Sequence, residues 1–346
     1  MSTNEIRIGI IGLGFMGRVH VKAYDAAKAA GFACRLVAVS DCDESRLTGQ
    51  VPEDAAGNID TGDGETPLLF DPETVATYTD PQALLDNPDV DLVSICTHTD
   101  SHPDLTIAAL KAGKHVLVEK PVATSSDDVR RVLEAVRQSE TLCMPAMCMR
   151  FWPGWTWLKQ AIENNVYGRV CSATFHRLGT HPGWAAQFYG DHTRSGGALV
   201  DLHIHDADFI RYLFGNPDSL TSTGTLDHLT TIYRYKEGPA HVVAEGGWDH
   251  SPGFNFRMHY IVNFERATAE FDLSRETPLI VYHDQHQEVI PLEPTTGYDG
   301  EIRCLLDAIA SGKRDMLPTI EESLAVTHLL EEERESLQTG KIIDPA

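Results

Sequence analysis

Hydrophobic positions along this chain follow two rhythms, and the rhythm changes once. In the first half, short apolar runs alternate with stretches of helical period. Ile6–Ile11 is a near-continuous apolar run, the mark of a strand buried on both faces, and 16–30 then reads as helix. Runs at 36–40, 91–96, 115–118 and 141–144 repeat the strand pattern. Between them, Asp80-Pro81 starts a short helix through Leu85, Pro103 opens a helix that ends at Gly113, and Ser125 or Ser126 caps one through Gln138. Strand and helix in alternation predict a parallel, doubly wound sheet with right-handed crossovers.

From Val170 the period shortens. Segments at 171–175, 219–225, 230–235, 240–245, 257–263, 267–272, 279–282 and 288–290 are short and rich in Val, Ile, Thr and Tyr. They predict a mostly antiparallel sheet with hairpin links. Helices are expected at about 197–214, 297–311 and 319–337. The stretch 52–72 is rich in Gly, Asp, Glu and Pro and has no period. It reads as an acidic surface loop, long for a connection in a compact α/β domain.

The turn after the first strand is Gly12-Leu13-Gly14-Phe15-Met16-Gly17, a G-x-G-x-x-G between strand and helix. Gly12 permits the tight turn, Gly14 lets a pyrophosphate approach the backbone, and Gly17 lets helix and strand pack closely. The second strand ends in Asp41, 24 residues after Gly17, where a carboxylate can bind ribose hydroxyls. Such sheets bind ligands at the carboxyl ends of their strands, and Gly12, Asp41, Thr97 and Lys120 all fall there. The fold class is therefore α/β. A Rossmann doubly wound parallel sheet spans 1–122, extending to about 147, and an α+β domain on a mostly antiparallel open sheet spans 123–346.

Composition narrows the partners. With 28 Lys and Arg against 51 Asp and Glu, the formal net charge is −23. No basic block is present to neutralise phosphates, so neither nucleic acid nor an anionic membrane surface is expected as a partner. No apolar run reaches membrane-spanning length. The chain enters its first strand at once, without a signal peptide, and its seven cysteines are scattered with no C-x-x-C. Both point to a reducing cytoplasm.

The densest chemistry lies at 197–213, where Leu199, Leu202, Phe209, Ile210 and Leu213 recur at helical spacing. On a helix, residues four apart share a face, which pairs Asp201 with His205 and turns His203 away. An H-x-H pair on a helix diverges, so no metal site is expected here. A carboxylate beside an imidazole suits proton transfer near neutral pH. An ion pair on a helix surface is the plainer alternative. Lys120, between Glu119 and Pro121 at a strand end, can hydrogen-bond a substrate hydroxyl and stabilise a developing alkoxide. An ordinary exposed lysine is its plainer alternative.

These residues carry a resemblance. The glycine motif, A-G-K-H-V-L-V-E-K-P at 112–121 and G-G-A-L-V-D-L-H-I-H-D at 196–206 together look like the Gfo/Idh/MocA family of oxidoreductases. The resemblance covers essentially the whole chain and rests most on E-K-P followed by D-x-x-x-H. It implies Lys120, Asp201 and His205 as catalytic residues, with His205 the general acid/base. It implies cofactor contacts from Gly12, Gly14, Phe15, Met16, Gly17, Asp41, Thr97, His102, Glu119 and Lys120. Substrate contacts are expected from Arg150, Trp152, His181, Trp184 and His203, with Tyr298 a further pocket residue. Arg150 suits a carboxylate or phosphate on a substrate, or else a salt bridge. At His203 the family pattern is usually small or apolar, so His203 either touches substrate or merely packs. The family also implies a homodimer or homotetramer built through the C-terminal sheet.

Asp41 favours free ribose hydroxyls and repels a 2′-phosphate, so NAD is the expected cofactor, with Ser40 and Arg46 leaving NADP open. The leading reading is a dehydrogenase acting on a secondary hydroxyl of a sugar or cyclic polyol. A redox-neutral, NAD-assisted sugar lyase or glycosidase is the second, and a non-catalytic dinucleotide sensor the third.

Overall fold

The computed structural model describes residues 5–51, 68–314 and 318–345. Most of the acidic stretch 52–72 lies outside these residues. In chain order the elements begin β1 (Ile6–Ile11), α1 (Phe15–Ala29), β2 (Cys34–Ser40), β3 (Ala76–Tyr78), α2 (Pro81–Leu85), β4 (Leu92–Ile95), α3 (His102–Lys111), β5 (His115–Glu119), α4 (Ser126–Arg137) and β6 (Cys143–Ala146). There follow α5 (Pro153–Glu163), β7 (Val170–Thr180), α6 (Ala186–Tyr189), α7 (His192–Ser195), α8 (Gly197–Asp201) and α9 (Ile204–Phe214). Then come β8 (Ser219–Gly224), β9 (His228–Arg234), β10 (His241–His250), β11 (Arg257–Phe264), β12 (Thr268–Asp272), β13 (Leu279–His283), β14 (His286–Val289), α10 (Gly297–Ser311) and α11 (Ile320–Thr339).

The chain forms two compact units. The first runs to Cys148 and takes back Gly297–Leu324; the second holds Met149–Thr296 and Ala325–Ala346. The sequence reading put the boundary at 122 with the sheet extending to about 147, and the pairing of β6 with β5 lies within that extension. The return of α10 to the first unit was not in that reading; Ile302, Leu305 and Leu306 of α10 join the core cluster of β1 and α1. An amphipathic helix shows which of its faces is apolar but not which core that face will join.

In the first unit the strand order is β3-β2-β1-β4-β5-β6, all parallel. Strand order reverses direction between β1 and β4, where such sheets open a ligand crevice. The apolar runs are explained by burial on both faces. Ile8 and Ile10 pack into one cluster with α1 and α10, while Ile11, Val93 and Val118 pack into another with α3 and α4. Asp80 caps α2 by accepting the Gln82 amide, and Ser125 caps α4 by accepting the Asp128 amide.

In the second unit the order is β14-β13-β12-β11-β7-β10-β9-β8. Every pair is antiparallel except β7 with β10. One face of the sheet is buried around Trp155 of α5, whose ring lies 4.6 Å from Phe271, 5.1 Å from Tyr260 and 6.3 Å from Phe209. The expected helix over 197–214 is two helices. Leu202 and His203 both donate their amides to the Ala198 carbonyl, at 3.0 and 2.8 Å, and the regular ladder breaks there. The apolar spacing stays in phase across the break, so periodicity alone does not reveal it.

Candidate functional site

The glycine turn meets each demand the motif makes. Gly12 has φ of +90°, and a Cβ there would fall 2.7 Å from the Cys96 carbonyl oxygen and 2.9 Å from the Thr97 amide nitrogen. A Cβ on Gly17 would overlap the Gly12 carbonyl. At Gly14 the nearest atom to an added Cβ is an Arg46 Nη1 at 4.0 Å, so the backbone is open to an approaching ligand. No side chain caps the α1 N-terminus, which leaves the positive end of the helix for an anion. The residues present therefore fit a dinucleotide's pyrophosphate.

Asp41 is buried, and its carboxylate braces the turn. One oxygen accepts the Leu13 amide at 2.7 Å and an Arg46 N–H at 3.3 Å, and the other accepts the Asp43 amide at 2.9 Å. A carboxylate offers about four acceptor positions, so one is left over for a ribose hydroxyl. His102 is buried between two strand ends, with Nδ1 2.8 Å from the Pro121 carbonyl and Nε2 3.0 Å from that of Thr97. Burial pushes its pKa below the usual value despite both carbonyls. Its nitrogens are engaged by backbone, so it braces the site from behind. Thr97 shares a 2.6 Å hydrogen bond with Ser101. Phe15 and Met16 are half-buried at the start of α1.

Lys120 is half-buried at the end of β5. Glu119 behind it is buried; it accepts the Lys120 amide at 3.0 Å and meets His20 Nε2 at 3.0 Å. Glu301 of α10 completes a fully buried trio, its ligand atoms within 4.8 Å of those of His20 and Glu119. Both Glu301 carboxyl oxygens lack hydrogen-bond partners among the described residues. Burial, with the Glu119 charge, holds its pKa well above the usual value. The sequence reading missed His20 and Glu301. A His inside α1 and a Glu on the apolar face of α10 were the signals, and each is ordinary alone.

In the second unit, residues 195–210 are buried with two exceptions, Asp201 and His205, which are half-exposed. The sequence pairing of these two assumed one continuous helix; the structure sets them at the end of α8 and the start of α9. His203, proposed from sequence to contact substrate, is completely buried against Glu333 at 2.9 Å. Arg150, proposed likewise, is also buried, and its guanidinium holds Asp208 through two hydrogen bonds of 2.9 and 2.6 Å. At both positions the structure shows the plainer of the two alternatives, a side chain paired inside the fold. Trp152 is buried at the N-terminus of α5. His181 and Trp184 join an aromatic cluster with Trp248 and Tyr189. His181 lies 5.7 Å from Trp248, Trp184 6.0 Å from Tyr189, and Tyr189 5.5 Å from Trp248. Trp248 also packs against Ala198 and Leu202, which ties this cluster to α8. Tyr298 lies in the first turn of α10.

Comparison with known proteins agrees with this geometry. A family model described as GFO/IDH/MocA, oxidoreductase family with an NAD-binding Rossmann fold, matches residues 6–147. The GFO/IDH/MocA C-terminal domain model matches 155–279. The chain is 29% identical over 301 residues to myo-inositol 2-dehydrogenase of Thermotoga maritima, covering 81% of this chain and 79% of that one. It is 32% identical over 222 residues to inositol 2-dehydrogenase of Rhizobium meliloti, covering 64% and 59%. It is 29% identical over 255 residues to levoglucosan dehydrogenase of Pseudarthrobacter phenanthrenivorans, covering 68% and 60%. The fold matches levoglucosan dehydrogenase in complex with NADH and L-sorbose at a TM-score of 0.81 and 21% identity, over 99% of both chains. It matches apo scyllo-inositol dehydrogenase of Lactobacillus casei at 0.76 and 18%, also over 99% of both.

Proposed function

The chain belongs to the GFO/IDH/MocA oxidoreductase family, and we propose that it is an NAD-dependent dehydrogenase oxidising a secondary hydroxyl of a sugar or cyclic polyol. The observation that carries this reading is that Asp201 and His205 alone are half-exposed in the otherwise buried stretch 195–210, in a chain that also holds a dinucleotide cradle.

In this reading His205 accepts the hydroxyl proton and Asp201 steadies the resulting imidazolium. The Lys120 ammonium donates a hydrogen bond to the hydroxyl oxygen and stabilises the negative charge that develops there. NAD+, when bound, supplies the acceptor for the hydride, so the alcohol leaves as a ketone and the proton passes through His205 to water. Gly12, Gly14 and Gly17 admit the pyrophosphate, and Asp41 takes a ribose hydroxyl. His181 and Trp184 of the aromatic cluster, exposed and half-exposed respectively, suit stacking against a sugar ring.

The same reading makes the protein a cytoplasmic homo-oligomer. Its seven cysteines are free, which fits a reducing compartment. No helix of the described residues is long and apolar enough to cross a membrane. Self-association is supported by the open sheet face. Ile280, Glu270, Ile261, Thr174, Val243 and Ile232 align there across strands and are half-exposed.

The test is NADH formation from NAD+ with inositols, levoglucosan and simple glucosides. Turnover of one of them is expected, with Lys120→Ala lowering it about 100-fold or more while NADH still binds. Product formed without NADH, from protein purified with NAD already bound, would instead identify the redox-neutral chemistry.

A further inference from the structure

We propose that His203 and Glu333 form a positioning device, a buried hydrogen-bonded pair that holds the break between α8 and α9 and so sets how Asp201 and His205 are presented. The inference rests on the reading of His205 as the acid/base group, and it concerns residues with no direct access to substrate.

His203 sits inside the break. Its amide and that of Leu202 share the Ala198 carbonyl, and its own carbonyl accepts the amides of Asp206 and Ala207, both at 3.0 Å, which starts α9. Backbone that leaves one helix and enters another within two residues has several ways to do so. What selects one here is the side chain. The His203 side chain is 0% exposed, and its Nε2 lies 2.9 Å from Glu333 Oε2 of α11, itself 0% exposed. Glu333 is anchored in turn: it accepts the Tyr233 hydroxyl at 2.7 Å and the Thr231 hydroxyl at 3.1 Å. The Tyr233 hydroxyl also lies 3.3 Å from His203 Nε2. The midpoint between Asp201 and His205 is thereby tied to β9 and α11.

Gly246 of β10 completes the seat. A Cβ there would fall 2.8 Å from His203 Nδ1 and 3.0 Å from its Cβ, so the imidazole lies directly on the strand backbone. Nδ1 has no hydrogen-bond partner among the described residues. The ring is therefore oriented by one nitrogen and by contact with β10. The groups that face it are Glu333 from α11, Asp206 from α9, Arg177 from β7 and Tyr233 from β9. Burial alone would lower the His203 pKa, and Arg177 works in the same direction. The charge and hydrogen bond of Glu333, with Asp206, outweigh both and raise it.

A buried pair of ionisable groups is weak as plain stabilisation, since an apolar pair of similar volume often does as well. Its distinctive property is a single preferred geometry, which is what a broken helix carrying two functional side chains requires.

The test uses the full chain with histidine-selective isotope labelling. His203 and His205 are titrated by NMR in the wild type, in Glu333→Gln, in His203→Gln and in the double variant His203→Leu/Glu333→Leu. In the wild type, His203 is expected to titrate above an ordinary histidine. In both single variants the His205 midpoint is expected to move by about half a pH unit or more, with NADH affinity within about twofold of wild type, a change worth less than one RT. The double variant is expected to regain thermal stability without regaining the wild-type His205 titration. It also decides the matter if a single variant does not fold. A His205 titration that overlays wild type while the melting temperature falls would reduce the pair to packing and overturn the proposal. So would a double variant that restores stability and the His205 titration together. Since the readout is the His205 ring rather than turnover, a protein inactive on every alcohol leaves this test intact. Conversely, an active dehydrogenase whose His205 is unmoved refutes the positioning role alone.

Discussion

At Gly17 an added methyl group would overlap the Gly12 carbonyl, while at Gly14 it would meet open space. Two glycines of one motif are therefore required for different reasons, one by the fold and one by the ligand. Gly17→Ala should lower both the melting temperature and NADH affinity. Gly14→Ala should leave the melting temperature near wild type and weaken NADH binding about tenfold or more, a loss of roughly 1.4 kcal/mol or greater. Thermal melts beside fluorescence titration separate the two. Glu301 makes the second residue-scale prediction. Its pKa is raised in the folded chain, so it contributes stability fully below the unfolded carboxyl value, and that stability is lost as pH rises toward the folded value. Glu301→Gln removes the titration. The fall in melting temperature between pH 5 and pH 8, read by calorimetry, should shrink in that variant.

Helix α9 shows what an element needs beyond periodicity. Its acids Asp206 and Asp208 face inward, each gripped by a buried arginine. Arg177 of β7 holds Asp206 through two bonds of 3.0 Å, and Arg150 holds Asp208. Removing one partner strands a buried charge. Asp208→Ala should therefore cost about 3–5 kcal/mol in urea unfolding. Asp127→Ala on α4, whose bond to Arg130 is exposed, should cost at most about 1 kcal/mol. The apolar stripe of α9 was legible in the sequence because period is local. The destinations of Asp206, Asp208 and Arg150 were not, because an acid that neutralises a distant arginine looks the same as one that meets water. Helix α5 was missed although Trp155, Leu158 and Ala161 recur at helical spacing behind Pro153.

For the molecule as a whole, the open sheet face is where self-association is expected. Val243→Asp or Ile261→Asp would place a carboxylate in the aligned half-exposed row, opposite residues of the same row in a second copy. Light scattering should find the wild type a dimer or tetramer and these variants a smaller species. A monomeric wild type would remove the oligomer from the functional reading. With a net charge of −23, association between copies should be stronger at higher salt, where repulsion between them is screened.

The amino-acid sequence determined the order and type of most elements, though not β3, α5, α6 or α7. It also determined the dinucleotide turn, the acid at the second strand end, and the family through E-K-P and D-x-x-x-H. All of these are short-range patterns, carried by residues a few positions apart. Only the tertiary structure decided that α10 joins the first unit, that one helix is two, and that His203 and Arg150 are held by Glu333 and Asp208. It alone brought His20 and Glu301 together behind Glu119. The physical reason is that burial and charge pairing are settled between residues distant in the chain, and a polar side chain does not announce its partner.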